Sequence, residues 1–182
     1  MRSRRKLTPV TRAEIVLGYS LGFGMFATLQ IALLTIFILS SVVTPAIGPL
    51  PSLVIGLGVE SAGSPFLAFA IALLLSIGAV NLGIFLSTFA RTELQVIQFI
   101  PLVIVPQALL CGLLWPVERL PDILQVIAHA LPLTYAVEGL REVMLKGADL
   151  SSRTVQIDVI VLAAIALLFV GLASATIKRE VA

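Results

Sequence analysis

The chain has 182 residues, of which 59% are hydrophobic and 12% are charged, and its mean hydropathy is +1.11. Because soluble domains carry about 25% charged residues, this composition excludes an ordinary soluble protein and indicates an integral membrane protein. The net charge of +2, the single cysteine and the single histidine exclude a basic nucleic-acid-binding face, an intrachain disulfide and a zinc cluster.

The N-terminal segment is basic. Its first twelve residues, MRSRRKLTPVTR, contain five basic and no acidic side chains. The Ser-Arg-Arg sequence at 3–5 is compatible with a twin-arginine export signal, but the apolar run that follows is longer than the roughly 7–15 residues of a signal-peptide core, so this interpretation is disfavoured. Thr11 and Glu14 fit a capping box, which predicts that a helix starts here.

Four membrane spans are predicted from apolar runs of about 20 residues or more, the length that crosses a bilayer. They cover residues 15–43, 65–90, 94–115 and 155–177. In the first span, Gly18 and Gly22 have a spacing that permits close helix contact, although glycine is common in membrane helices generally and that explanation is favoured. Residues 44–64 are rich in proline and glycine and form the predicted outer loop.

Polar residues and prolines inside the spans are candidate path-lining or hinge positions. Asn81 is the strongly polar residue of the second span, and it either hydrogen-bonds a neighbouring helix, which we favour, or faces a substrate path. In the third span, two prolines remove backbone hydrogen bonds and predict a kink, which is either a fixed bend or a hinge for transport. The third-span candidates are Gln98, Pro101, Pro106 and Gln107.

Two short amphipathic helices are predicted between the third and fourth spans, at residues 120–131 and 134–146. Pro121 suits a first helical position, and Gly147 suits the left-handed residue that ends the second helix. Helices of this kind between two spans are expected to lie flat at or just under the membrane surface.

The second short helix carries four charged residues at pairing distance along its polar face. Glu138–Arg141 and Glu142–Lys146 are each spaced to form an ion pair across one turn. Glu138 and Arg141 are interpreted either as a local surface pair or as groups that hold the short helices against a partner subunit or guard an exit. A structural or gating role is favoured over a catalytic one.

The basic residues predict the orientation of the chain. With the N-terminus in the cytoplasm, eight basic side chains lie inside and four outside, which agrees with the positive-inside rule. The inside group is Arg2, Arg4, Arg5, Lys6, Arg12, Arg91, Lys178 and Arg179, and the outside group is Arg119, Arg141, Lys146 and Arg153. Four spans then place both termini in the cytoplasm and the short helices at the outer face of the cell membrane.

The sequence contains no recognisable catalytic or cofactor motif. It has no G-x-x-x-x-G-K-[ST] loop for ATP phosphates, no H-E-x-x-H zinc motif and no G-x-S-x-G nucleophile elbow. The carboxylates show no acid–base pair inside a span, and His129 is expected to be solvated or interfacial. No catalytic, metal-binding or cofactor-binding residue is therefore predicted in this chain.

Several short motifs follow one another in the C-terminal half. They are Gly112-Leu-Leu-Trp-Pro116, Leu120-Pro121, Leu131-Pro132-Leu-Thr134-Tyr135-Ala136 and Gly139-Leu-Arg141. An upstream segment adds Thr8-Pro9-Val-Thr-Arg12 with Glu14 and Gly18. Together these motifs resemble the type-2 ABC exporter permeases, with Cys111 standing where that family often has serine.

The resemblance implies an all-α, polytopic membrane helix bundle that acts as a permease half. Its partners would be a second permease half, giving a dimer, and two separate ATP-binding subunits that hold ATP and Mg²⁺, with membrane lipid around them. The family exports drugs, lipids and polysaccharides, and an amphiphile is the expected cargo. The motif and gating candidates are Gly112, Pro116, Pro121, Pro132, Thr134, Tyr135, Glu138, Gly139 and Arg141, and the motif at the cytoplasmic start of the first span is Pro9, Arg12, Glu14 and Gly18.

The resemblance is to part of the family domain. Family permeases usually have six spans, with a coupling helix between the second and third, and this chain resembles spans three to six. It is therefore expected to be a truncated product or to combine with a missing half from another polypeptide. The alternatives are a non-transporting membrane scaffold or immunity-type protein, a truncated inactive permease fragment, and a membrane-embedded enzyme, for which clustered polar or metal-binding residues are lacking.

Overall fold

The computed structural model describes residues 12–43 and 54–176. The helices in these ranges are α1 (Arg12–Leu39), α2 (Pro65–Ser87), α3 (Glu93–Leu110), α4 (Asp122–His129), α5 (Pro132–Lys146) and α6 (Arg153–Thr176), with a 3-10 turn at Val117–Arg119. Two short strands, β1 (Val42–Val43) and β2 (Val54–Ile55), pair antiparallel. Pro9, Thr11 and the last residue of the predicted fourth span lie outside the described residues.

Four helices are long and apolar enough to cross a membrane, namely Leu17–Leu39 within α1, and α2, α3 and α6. One end of the bundle holds α5. α1 and α3 finish at this end, and α2 and α6 start from it. This end is named the α5 end below. The prediction of an all-α polytopic membrane bundle is confirmed, and the two strands of two residues each form a small hairpin at its edge.

The first predicted span ends four residues early, at Leu39 instead of residue 43. The backbone N–H groups of residues 57–59 donate to carbonyls in and just after the last turn of α1 at 2.9 to 3.1 Å. The last carbonyls of a helix have no partner within it, so this loop stabilises the end of α1. Gly56, at φ +97°, permits the close approach, because a Cβ there would lie 2.0 Å from the carbonyl oxygen of Ser40.

The second and third helices also end earlier than predicted. α2 ends at Ser87, before the predicted residue 90, and α3 ends at Leu110, before the predicted residue 115. The chain turns away from α3 because Gly112 adopts a left-handed φ of +83°. α3 continues as one helix through Pro101 and Pro106, and none of its residues is buried in the chain.

α2 lies at the centre of the bundle and packs against α1, α5 and α6. The buried core lies between α2, α5 and α6, at the α5 end. It consists of Leu67, Ala68, Ile71, Ala136, Val143, Val155 and Leu162. Because these residues come from two spans and one short helix, α5 is an integral part of the packed bundle.

α4 and α5 correspond to the predicted short helices at 120–131 and 134–146, and their axes meet at 83°. The two helices differ in burial. α4 has one buried residue, Ala128, whereas α5 buries Thr134, Ala136, Gly139 and Val143 against the rest of the bundle. α5 is therefore wedged against α2 and α6, which cover most of its apolar face, although Leu145 stays exposed.

Candidate functional site

The corner between α4 and α5 is held by two side-chain hydroxyls. Thr134 Oγ1 donates to the carbonyl of Ala128 at 2.6 Å, and Tyr135 Oη donates to the carbonyl of His129 at 2.7 Å. Both carbonyls belong to the end of α4, where intrahelical partners are missing. Pro132 begins α5 at a position where a missing N–H costs nothing. The Pro-Leu-Thr-Tyr sequence thus builds the corner.

Tyr135 also lies in a negative environment. Burial raises the pKa of its phenol above the usual value, and the nearby carboxylates of Asp158 and Glu138 raise the pKa further. The phenol therefore stays protonated and remains a hydrogen-bond donor to α4.

Gln125 lies next to this corner and makes hydrogen bonds that the sequence analysis did not predict. Its side-chain amide donates to the carbonyls of Leu120, at 2.8 Å, and Glu118, at 3.3 Å. It thereby ties α4 to the 3-10 turn that precedes it. Pro121 lies one residue before α4, at the N-cap, and not at the first helical position that was predicted; assignment of helix ends varies by one residue or so.

Gly112 and Arg141 connect the end of α3 to α5. Arg141 Nη2 donates to the carbonyl of Gly112 at 2.9 Å. The left-handed turn at Gly112 points this carbonyl towards α5, and a Cβ at Gly112 would lie 3.1 Å from Val117 Cγ2. The predicted Glu138–Arg141 ion pair is wrong, because the guanidinium reaches across to α3 instead of along its own helix. The predicted Glu142–Lys146 ion pair is present.

Gly139 is the point at which α5 approaches both spans most closely. A Cβ at this position would lie 3.3 Å from Ile71 Cδ1 on α2 and 3.3 Å from Asp158 Oδ2 on α6. An alanine here would need its neighbours to shift by a few tenths of an ångström, and a larger side chain would push the helices apart. Asp158 was not among the predicted site residues, yet it is 2% exposed.

A polar cavity of about 210 Å³ lies on the α3–α4 side of α5. Its lining includes Cys111, Gly112, Pro116, Glu118, His129, Thr134, Glu138, Arg141, Glu142 and Lys146. The structure therefore brings most of the C-terminal motif candidates to one place. Among the described residues, no group of three His, Cys, Asp or Glu side chains could hold a metal ion. Hydrogen bonds beside the cavity link α5 to the end of α3 and to α4.

The candidates within the spans are separate from this cavity. Asn81 is buried, accepts a hydrogen bond from Ser20 Oγ on α1 at 2.7 Å and donates to the carbonyl of Ile77 at 2.8 Å. Its amide thus joins α1 to α2. On α3, Gln98, Pro101 and Pro106 are exposed and Gln107 is half-buried.

The first span carries the remaining motif candidates. Arg12 begins α1, Glu14 is exposed in its first turn, and Gly18 has no neighbouring atom within 4 Å of an added Cβ. Further along, Gln30 lines a groove of about 710 Å³ between α1 and α2, together with Tyr19, Phe23, Phe26 and Gly83. Gln30, near the middle of the span, was also not singled out from the sequence.

Comparison with known proteins identifies a family and two proteins whose sequences are similar to this chain. The sequence model of the ABC-2 type transporter family matches residues 2–145. ABC transporter G family member 20 of Dictyostelium discoideum is 28% identical over 152 residues, which cover 84% of this chain and 19% of that protein. Linearmycin resistance permease protein LnrN of Bacillus subtilis (strain 168) is 28% identical over 146 residues, which cover 80% of this chain and 34% of that protein.

The chain thus spans about a fifth and about a third of the lengths of these two relatives. No solved structure matches. The family match extends from the basic N-terminal segment to the last turn of α5, so it includes Gly139 and both partners of the Gly112–Arg141 hydrogen bond, whereas α6 lies beyond it. This chain belongs to the ABC-2 type transporter family.

Proposed function

We propose that this chain forms part of the transmembrane path of an ATP-driven exporter and moves an amphiphile, such as a drug or lipid, out of the cell. Family membership supports a transport role. One relative carries the name of a resistance permease, and removal of a toxic amphiphile from the membrane is the simplest way for a permease to give resistance.

The energy would come from a separate subunit. Membership of the ABC-2 type transporter family supports an ABC ATP-binding partner, which would bind ATP and Mg²⁺. A second permease half would complete the path, and the exposed face of α3, with Gln98, Pro101, Pro106 and Gln107, is our candidate for its lining or hinge. Membrane lipid would cover the remaining apolar surface.

The observation that carries the proposal is the position of α5. This short helix contacts α2 and α6 at Gly139, α3 through Arg141, and α4 through Thr134 and Tyr135. A movement of any one of these helices must therefore alter a contact of α5. Such a junction would couple the helices to one another if the permease alternates between closed and open states.

The proposed orientation places the α5 end outside the cell and both termini in the cytoplasm. Eight basic residues lie in the sequence up to the start of α1, between α2 and α3, and after α6, whereas four lie between the end of α3 and the first residue of α6. The positive-inside rule favours the side with more basic residues as cytoplasmic. Labelling of a cysteine introduced at Ser151 by an impermeant maleimide in intact cells tests this, with a cysteine at Thr92 as the control; labelling of the Thr92 position alone would reverse the orientation.

The transport proposal is tested in inverted membrane vesicles that contain this chain and its ATP-binding subunit. We expect ATP-dependent uptake of a fluorescent amphiphile that is abolished by vanadate. Arg141→Ala removes the latch to Gly112 and should lower the initial rate at least about fivefold, because the α5 junction loses its charged hydrogen bond.

Lys146→Ala is the matched control, because it removes a cation from the same helix. It breaks only the ion pair with Glu142, in which the lysine side chain is largely exposed, and exposed ion pairs contribute little to stability. It should keep more than about half of the wild-type rate. Equal uptake with and without ATP would contradict the exporter and favour the non-transporting scaffold. Equal losses in the two variants would contradict the role given to the latch.

A further inference from the structure

Asp158 is a buried carboxyl group, and one of its oxygens has no hydrogen-bond partner among the described residues. It lies in the second turn of α6 and is 2% exposed. Its Oδ2 receives no hydrogen bond from any group in the described part of the chain. Buried polar side-chain atoms nearly always have a partner, so this oxygen calls for an explanation.

The surroundings of this oxygen do not suit an ion or a water molecule. Ile71 on α2 is fully buried, and the ideal Cβ position of Gly139 on α5 lies 3.3 Å from both Ile71 Cδ1 and Asp158 Oδ2. A buried water molecule needs about two to four polar partners, and among the described residues no polar group bonds to Oδ2 and no cluster of three His, Cys, Asp or Glu side chains could hold a metal ion. A proton needs no partner other than the carboxyl group itself.

The charges that face Asp158 favour the same ligand. From α5, the carboxylates of Glu138 and Glu142 act on Asp158 and disfavour a further negative charge there. The neutral phenol of Tyr135 also lies near it. The α2 helix contains no ionisable residue, and those of α1 all lie in its first eight residues, far from the α5 end. Of the cations, Arg153 is exposed at the start of α6, Lys146 pairs with Glu142, and Arg141 donates to the carbonyl of Gly112.

We propose that Asp158 is a proton-binding site at the contact between α5 and α6, and that its proton keeps α5 seated in the bundle. The neutral carboxyl group can be buried beside Ile71 and Gly139 at modest cost, whereas an ionised one cannot. When the proton leaves for solvent water, the charge that remains draws water into the contact and α5 separates from α6. This concerns the packing of this chain and does not rest on export.

Cys111 is a natural reporter of that separation. It is the only cysteine of the chain, is 1% exposed, and lines the polar cavity together with Thr134, Val137 and Arg141 of α5. Its neighbour Gly112 carries the carbonyl that Arg141 holds. Release of α5 must therefore break this hydrogen bond and uncover the thiol.

The experiment measures the rate at which N-ethylmaleimide alkylates Cys111 between pH 5.5 and pH 9, in the full chain in membranes. The intrinsic rate rises with pH in every variant because the thiolate is the nucleophile. The informative quantity is therefore the ratio of the wild-type rate to the Asp158→Asn rate at each pH. We expect this ratio to be close to one at pH 5.5 and to exceed about five at pH 9. A ratio that does not change with pH overturns the proposal.

Asp122→Asn is the matched control, because it makes the same chemical change at an exposed carboxylate of α4. Its ratio to wild type should stay constant across the pH range, and a pH response equal to that of Asp158→Asn would also overturn the proposal. If Asp158→Asn does not accumulate in membranes, Asp158→Ser, which is neutral and smaller, carries the same test with the same two outcomes.

Discussion

Gly139 is the residue at which one added side chain tests the packing of α5 most directly. Its ideal Cβ would lie 3.3 Å from Ile71 Cδ1 and 3.3 Å from Asp158 Oδ2, whereas carbon–carbon contacts are optimal at about 3.5–4.0 Å. Alanine needs shifts of only a few tenths of an ångström, and about 1 kcal/mol of helix propensity offsets their cost. Leucine adds three further carbons between two helices already in contact, and this overpacking should cost about 1–3 kcal/mol.

The stability of Gly139 variants can be followed by thermal unfolding of the full chain in mild detergent. At about 2–4 °C per kcal/mol, we expect Gly139→Leu to lower the midpoint by at least about 2 °C and Gly139→Ala to leave it nearly unchanged. Gly171→Leu is the matched control, because nothing lies within 4 Å of a Cβ at that position of α6. Equal midpoints for Gly139→Leu and Gly171→Leu would refute the argument that α5 is wedged against two spans.

Two further predictions concern hydrogen bonds between helices. Thr134→Val and Tyr135→Phe each remove one hydroxyl from the α4–α5 corner, and each should lower the free energy of unfolding by about 1 kcal/mol; chemical denaturation would show no change if the corner were held by packing alone. Ser20→Ala and Asn81→Ala, combined in a double-mutant cycle, should give a coupling energy of about 0.6 kcal/mol, the average for hydrogen bonds between membrane helices. A coupling energy of zero would mean that Ser20 and Asn81 form no stabilising hydrogen bond between α1 and α2.

The sequence predicted the helices well because apolar length is a strong signal. Four apolar runs gave four spans, and the proline and glycine residues around α4 and α5 marked their limits within about two residues. The errors lie at span ends. Ser40 and Ser41 follow an apolar run without a break in hydropathy, and only the hydrogen bonds from residues 57–59 show that α1 ends at Leu39.

The tertiary roles of the motif residues could not be predicted in the same way. The spacing of Glu138 and Arg141 indicates a local pair, but the guanidinium instead reaches the Gly112 carbonyl, 29 residues away in sequence. Hydrophobic periodicity says that α5 has an apolar face and does not say what this face contacts. The burial of that face against α2 and α6, and with it the importance of Gly139 and Asp158, depends on contacts between distant segments.

Asp158 and Gln30 are two polar residues whose surroundings could not be predicted from the sequence. Each is a single polar residue near or within an apolar run, and the sequence alone does not distinguish a buried side chain from one at the membrane surface. The structure separates them: Asp158 is enclosed between α2, α5 and α6, whereas Gln30 lines an open groove between α1 and α2. Burial, not residue type, makes Asp158 a candidate for function.

The central claim, that this permease works with an ATP-binding subunit, is tested most directly by purifying the tagged chain from native membranes in mild detergent and measuring ATP hydrolysis in the purified material. We expect an ABC ATPase to co-purify, to be identified by mass spectrometry, and to hydrolyse ATP in a vanadate-sensitive manner that an added amphiphile stimulates. A stable chain of 19.3 kDa that purifies without any ATPase and without ATP hydrolysis would contradict the claim.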